Sequence, residues 1–152
     1  MGSADLVGTW RLVSSETRWD DGAVEHLWGP HPVGMLSYDA AGFMSVQLMR
    51  ADRPARVTRL VAPDAVLGTI GELEVIGYLA YCGTYTVDAA AKRVTHHVSC
   101  SLLPEQVGQD VVRSYELAGD TLTLRTPPAV VRGRERTSFL VWRRAAPGRA
   151  ES

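Results

Sequence analysis

The run Gly8-Thr9-Trp10-Arg11-Leu12-Val13-Ser14-Ser15-Glu16-Thr17 reads as a first β-strand, and it carries the clearest mark of architecture in the chain. Glycine lets the backbone approach a neighbouring strand closely, and the tryptophan two residues on is large enough to fill the narrow end of whatever the strand helps to enclose. The last strong strand-like run, Arg136 to Arg143, contains Ser138-Phe139-Leu140-Val141-Trp142 and leads into Arg143-Arg144. If the first and last strands are neighbours, as closure of a sheet into a barrel requires, Arg143 or Arg144 lies across the Trp10 indole. If they are not, Trp10 is an ordinary core residue and both arginines are solvated. Strict alternation puts Trp10, Leu12, Ser14 and Glu16 on one face, so an inward Trp10 carries Glu16 inward as well.

Working outward, short strand-like runs recur between turn signals, the pattern of an all-β sandwich or barrel. Val24 to Trp28 follows Asp20-Asp21-Gly22, and Gly29-Pro30-His31-Pro32 breaks the chain. Val33 to Tyr38 and Phe43 to Arg50 flank Asp39-Ala40-Ala41-Gly42, a hairpin candidate. Strands follow at Tyr81 to Val87, Val94 to Leu102, Asp110 to Leu117, Thr121 to Thr126 and Arg136 to Arg143. Between Pro63 and Leu79 the period changes: Val66, Ile70, Leu73, Gly77 and Ala80 recur at helical spacing. The expectation is a single barrel domain over 1–144, about 8–10 antiparallel strands with one helix capping or flanking it. A small, polar tail over 145–152 is expected to be disordered.

Hairpin registers place side chains, because opposite residues in an antiparallel pair share a face. A two-residue loop at Gly119-Asp120 sets Leu117 opposite Leu122 and Tyr115 opposite Leu124, so Arg113 and Tyr115 point inward. Aligning Val87 with Val94 sets Tyr85 opposite His96 and Gly83 opposite Val98, which turns His96 inward and His97 outward. That register sends Cys82 and Cys100 to opposite faces, so no disulfide is expected between them. In the Val33-to-Arg50 hairpin the more apolar set, Val33, Met35, Met44, Val46 and Leu48, is taken as inner, against Leu36, Tyr38, Phe43, Ser45 and Gln47.

Composition excludes several classes of function. The formal net charge is -1 with no basic stripe, which argues against a nucleic-acid partner. No apolar run is long enough to span a bilayer, and no secretory signal opens the chain, so a cytoplasmic location is the expectation. Two cysteines are too few for a disulfide framework and lack metal-site spacing. His96 and His97 alternate faces on a strand and cannot chelate one ion together, and no phosphate-binding loop or nucleophile elbow appears; neither metal nor cofactor is expected.

The chain resembles the lipocalin-like domain family of bacterial proteins, a small branch of the calycin barrels. The resemblance rests on Leu6-Val7-Gly8-Thr9-Trp10-Arg11-Leu12, on Gly29-Pro30-x-Pro32-x-Gly34-x-Leu36-x-Tyr38, and on Gly42-Phe43-Met44-Ser45-Val46-Gln47-Leu48. It continues through Tyr85-x-Val87-Asp88, Val94-Thr95-His96-His97-Val98 and Leu122-Thr123-Leu124-Arg125-Thr126-Pro127-Pro128. It implies a ligand-sized barrel, with some relatives among small natural-product cyclases and isomerases. The segment Leu103-Pro104-Glu105-Gln106 departs from the family pattern in lacking an aromatic residue near Gly108.

Three side chains carry candidate chemistry. Arg113-x-Tyr115 resembles the pair that intracellular fatty-acid-binding barrels use to hold a carboxylate. Independently of that likeness, a guanidinium in an apolar cavity binds carboxylate, enolate or phenolate in a fork geometry, with a phenol adding a donor. The competing reading pairs Arg113 with an inward carboxylate such as Glu16. His96 is the general acid/base candidate, against a core histidine bonded to a neighbour. The expected function is binding of a small, largely apolar molecule, anionic or carbonyl-bearing, in a cavity lined by Met35, Met44, Tyr85, His96, Arg113, Tyr115 and Glu16. The alternative is a cofactor-independent isomerase, cyclase or dehydratase using His96, Arg113 and Tyr115. Ser138 to Trp142 is apolar on both faces, so its outer face needs cover from the N-terminal segment, the helix or a second copy in a homodimer.

Overall fold

A computed structural model of the chain describes residues 3–53 and 77–146. In chain order the strands are β1 (Gly8–Trp19), β2 (Val24–Glu25), β3 (Val33–Tyr38), β4 (Phe43–Met49), β5 (Tyr78–Asp88), β6 (Arg93–Ser101), β7 (Asp110–Ala118), β8 (Thr121–Arg125), β9 (Ala129–Val131) and β10 (Arg134–Arg144). All pair antiparallel in the order β2-β1-β3-β4-β5-β6-β7-β8-β10-β9, and β1 also pairs with β10. That last pairing closes an eight-stranded barrel and leaves β2 and β9 as short additions at its edge. The helix expected from Pro63 falls outside the described residues except at its end. There Gly77 is a turn and Tyr78 already begins β5, so the strand starts three residues earlier than its apolar alternation indicated. Beyond Ala146 the expected tail also lies outside the described residues. Among the described residues no helix is long and apolar enough to cross a membrane.

Closure occurs where Gly8-Thr9-Trp10 placed it. Trp10 stands opposite Arg144 in the β1–β10 register, and the guanidinium carbon lies 4.2 Å from the indole centroid. The indole N–H donates to the Leu6 carbonyl at 3.0 Å, while Arg144 donates through Nη1 to Val7 O at 2.7 Å and through Nη2 to Asp5 O at 3.0 Å. The short 3-10 turn Ser3–Leu6 is thereby folded across this end. Gly8 sits at φ +139, and a Cβ there would meet Arg144 Nη1 at 2.8 Å, which is why the motif needs glycine. The turns at 39–42, 89–92 and 119–120 gather at this same closed end. The longer connections after β1, after β6 and after β8 gather at the other.

The β7–β8 and β5–β6 registers agree with the hairpin arguments: Leu117 faces Leu122, Tyr115 faces Leu124, Val87 faces Val94 and Tyr85 faces His96. Three local irregularities overturn other placements. First, β1 carries a bulge between Leu12 and Ser14 against Trp142 and Val141 of β10. The extra residue, Val13, reverses the alternation, so Ser15 and Thr17 are buried, and Glu16 turns outward to Arg18, 3.3 Å away. Second, the β3–β4 loop holds three residues rather than four. Asp39 N–H donates to Phe43 O at 2.9 Å, Gly42 takes φ +97, and the Asp39 carboxylate accepts from the Ala41 and Phe43 amides. Tyr38 therefore pairs with Met44 and Leu36 with Val46, a one-residue slip that reverses every side chain of β3. Leu36 and Tyr38 are buried, and Met35 lies outside at 39% exposure. Third, a bulge beside Gly83 sets Cys82 directly opposite Cys100, so the two share the outer face, as free thiols.

Outward Phe139 of β10 is covered from within the chain: the Arg18 guanidinium of β1 lies 4.2 Å from its ring centroid. The core is one cluster, with Trp10, Tyr38, Met44, Tyr85, Val94, Tyr115 and Leu122 in it.

Candidate functional site

A cavity of about 380 Å³ opens among the barrel strands toward the end that carries the longer connections. Its walls are mainly apolar: Leu36 of β3, Val46 and Leu48 of β4, Leu79 of β5, Leu124 of β8, and Leu140 and Trp142 of β10. Trp28, Gln106, Pro127 and Pro128 line it from the loops. Trp28 is held there by its own segment, since Arg50 Nη1 donates to Leu27 O at 2.9 Å while the same guanidinium is clamped by Asp52. Tyr81 of β5, His96 of β6 and Arg113 of β7 bring polar groups to this wall.

His96 is the centre of that polar group. The Tyr38 hydroxyl lies 2.7 Å from its Nε2 and the Tyr81 hydroxyl 2.7 Å from its Nδ1, so both ring nitrogens are engaged. Burial, the Arg113 charge and His97 together push its pKa down to about 3, which keeps the imidazole neutral at physiological pH. Burial raises both phenols above the ordinary tyrosine range, Tyr38 well above it, with the Arg113 charge opposing the rise in each. Arg113 lines the same cavity as Tyr81 and His96. It is half-buried, donates through Nη1 to Val112 O at 2.8 Å, and forms no ion pair among the described residues. The Glu16 that was to neutralise it is on the outer face with Arg18.

Of the residues expected to line the cavity, His96 and Arg113 do so. Met44, Tyr85 and Tyr115 point inward but belong to the packed core at the closed end. The Tyr85 ring meets Tyr38 tilted by 56° with centroids 4.7 Å apart, and its hydroxyl donates to Asp39 O; the Tyr115 backbone N–H donates to Lys92 O at 2.9 Å, which sets Tyr115 beside the 89–92 turn at the closed end. Met35 and Glu16 face outward because of the loop and bulge described above. His97, as expected, is outside, bonded to Asp110 and Thr86.

Tyr38, Tyr81 and Trp28 were missed. Tyr81 was within reach: it stands four residues before Tyr85 on one strand and so shares its inward face. Tyr38 needed the correct loop length. Nothing local in the sequence distinguishes Trp28, whose place depends on the Arg50 anchor.

A comparison with protein families matches the lipocalin-like domain over residues 7–145. A curated relative, the 4'-hydroxy-3'-methoxypropiophenone carrier protein ppsC of Aspergillus oryzae (strain ATCC 42149 / RIB 40), is 36% identical over 110 residues, spanning 66% of this chain and 96% of the relative. No solved structure matches the chain. A family match that runs from the closing Trp10 strand to its partner β10, on a barrel closed between those two strands, makes this chain a member of the lipocalin-like domain family.

Proposed function

We propose that this protein binds and carries a small, largely apolar molecule, one polar end of which rests against Tyr81, His96 and Arg113. The observation that carries this reading is the cavity itself: about 380 Å³, within the size range of small-molecule sites, with apolar walls and a few convergent polar groups. The name of the relative, a carrier of a one-ring aryl ketone, supports the same class of cargo. The alternative, proton transfer by His96, is disfavoured by its chemistry. A neutral imidazole with a pKa of about 3 and both nitrogens bonded to phenols is a weak base with no free position, and Tyr115 lies away from the cavity.

Titrating purified protein with 4'-hydroxy-3'-methoxypropiophenone tests the proposal, because Trp28 and Trp142 line the cavity and report occupancy by fluorescence. Saturable one-to-one quenching is expected, with the ligand recovered chemically unchanged. Arg113→Leu should weaken binding by about tenfold, the equivalent of one charge-assisted hydrogen bond. Absence of saturable binding for this ketone and for simple alkylbenzenes alike would refute the proposal, and a ligand recovered with altered mass would return the enzyme reading.

A further inference from the structure

The Tyr38–His96–Tyr81 chain contains one more proton than it has bonds to make. A neutral imidazole offers one N–H and one lone pair, and each phenol brings one O–H, so three hydrogens serve two hydrogen bonds. One hydroxyl must accept from the imidazole and keep its own hydrogen for something else. The two ends are not equivalent. Tyr38 is 1% exposed, does not line the cavity, and makes no other hydrogen bond among the described residues, so a spare hydrogen there would be a buried, unsatisfied donor. Tyr81 lines the cavity.

We propose that Tyr38 donates to Nε2, that Nδ1–H donates to Tyr81, and that the Tyr81 hydroxyl is thereby a dedicated hydrogen-bond donor to the cavity, selecting cargo with a neutral carbonyl oxygen. This rests on the carrier reading above and adds to it the functional group that is recognised. Protonation of the imidazole would free both hydroxyls and erase the distinction, and the depressed His96 pKa prevents that across the physiological range. A carbonyl suits the site better than a carboxylate. The walls are mainly apolar, burying a full charge costs far more than burying a C=O, and Arg113 already spends one N–H on Val112 O. Arg113 supplies a positive potential that favours the oxygen end of the carbonyl dipole.

The test compares propiophenone with n-propylbenzene, the same skeleton without the oxygen, on wild type and on Tyr81→Phe. The ratio of the two affinities should fall by about tenfold or more in the variant, with n-propylbenzene binding retained. Bound propiophenone labelled with carbon-13 at the carbonyl should show a lowered C=O stretching frequency in wild type and not in Tyr81→Phe. Tyr38→Phe, which removes a group that never meets the ligand, should lower the ratio part of the way, since the imidazole is then free to change tautomer. Nitrogen-15 NMR of the imidazole, assigned with His96→Gln, should find the proton on Nδ1, and this readout needs neither ligand nor a folded Tyr81 variant. A proton on Nε2, or equal ratios in wild type and Tyr81→Phe with both compounds bound, overturns the donor assignment and leaves the carrier reading intact. Binding of neither compound to wild type overturns the carrier reading, and this proposal with it.

Discussion

Acidification from pH 7 to pH 5 is expected to destabilise the barrel by about 2 kcal/mol through His96 alone. The imidazole has a pKa of about 3 in the fold against an ordinary value of 6.5, because it is buried and close to the Arg113 charge. In the unfolded chain it takes up a proton as the pH passes below 6.5, whereas in the fold it does not until near 3. Stability is therefore complete above about pH 7 and lost as the pH falls through that window, at a limiting rate of about 1.4 kcal/mol per pH unit. Between pH 7 and pH 5 the loss is about 2 kcal/mol, equivalent to roughly 4–8 °C in midpoint for a chain of this size. Asp21 and Asp52, whose pKa values lie below their ordinary 3.8, lose their contribution only at lower pH and do not contaminate the interval. Urea unfolding of wild type and His96→Gln at pH 7 and 5 isolates the effect, since glutamine keeps a donor and an acceptor but does not titrate. The stability advantage of wild type over the variant should shrink by about 2 kcal/mol at the lower pH. Parallel profiles for the two proteins would show that His96 titrates normally, and with it would fall the account of a neutral imidazole locked between two phenols.

Two further expectations concern the scaffold. Arg144→Ala removes the cation–π contact with Trp10 and the donors to Val7 and Asp5, and should cost roughly 1–3 kcal/mol of unfolding free energy by urea titration, with Arg144→Lys recovering only part because it lacks the fork. Gly83→Ala drives a Cβ into the His97 carbonyl oxygen across β5–β6, so roughly 3 kcal/mol or more should be lost, or the protein should fail to accumulate in soluble form on expression.

The misplacements along the chain share one cause. Strand identity was legible almost throughout, because it depends on composition and alternation summed over several residues, and the barrel followed from Gly8-Thr9-Trp10 meeting Arg144. Phase was legible where a turn declared its length, as Gly119-Asp120 did for β7 and β8, or where the apolar faces of two strands aligned, as Val87 with Val94 did for β5 and β6. At Val13, at the Asp39–Phe43 loop and beside Gly83, one extra or one missing residue reverses inside and outside, and the backbone geometry responsible has no strong residue signature. The consequence for function is selective. His96 and Arg113 were recognisable because their chemistry is rare inside a barrel and their hairpins were in phase. Of the two phenols that decide what His96 does, Tyr81 follows from its spacing to Tyr85, but Tyr38 does not: it is inward only by virtue of a three-residue loop whose Gly42 takes a positive φ, held by the Asp39 carboxylate. That loop lies at the closed end of the barrel, yet it sets the phase of β3, brings Tyr38 to Nε2, and through the imidazole decides which hydrogen Tyr81 has to offer the cavity.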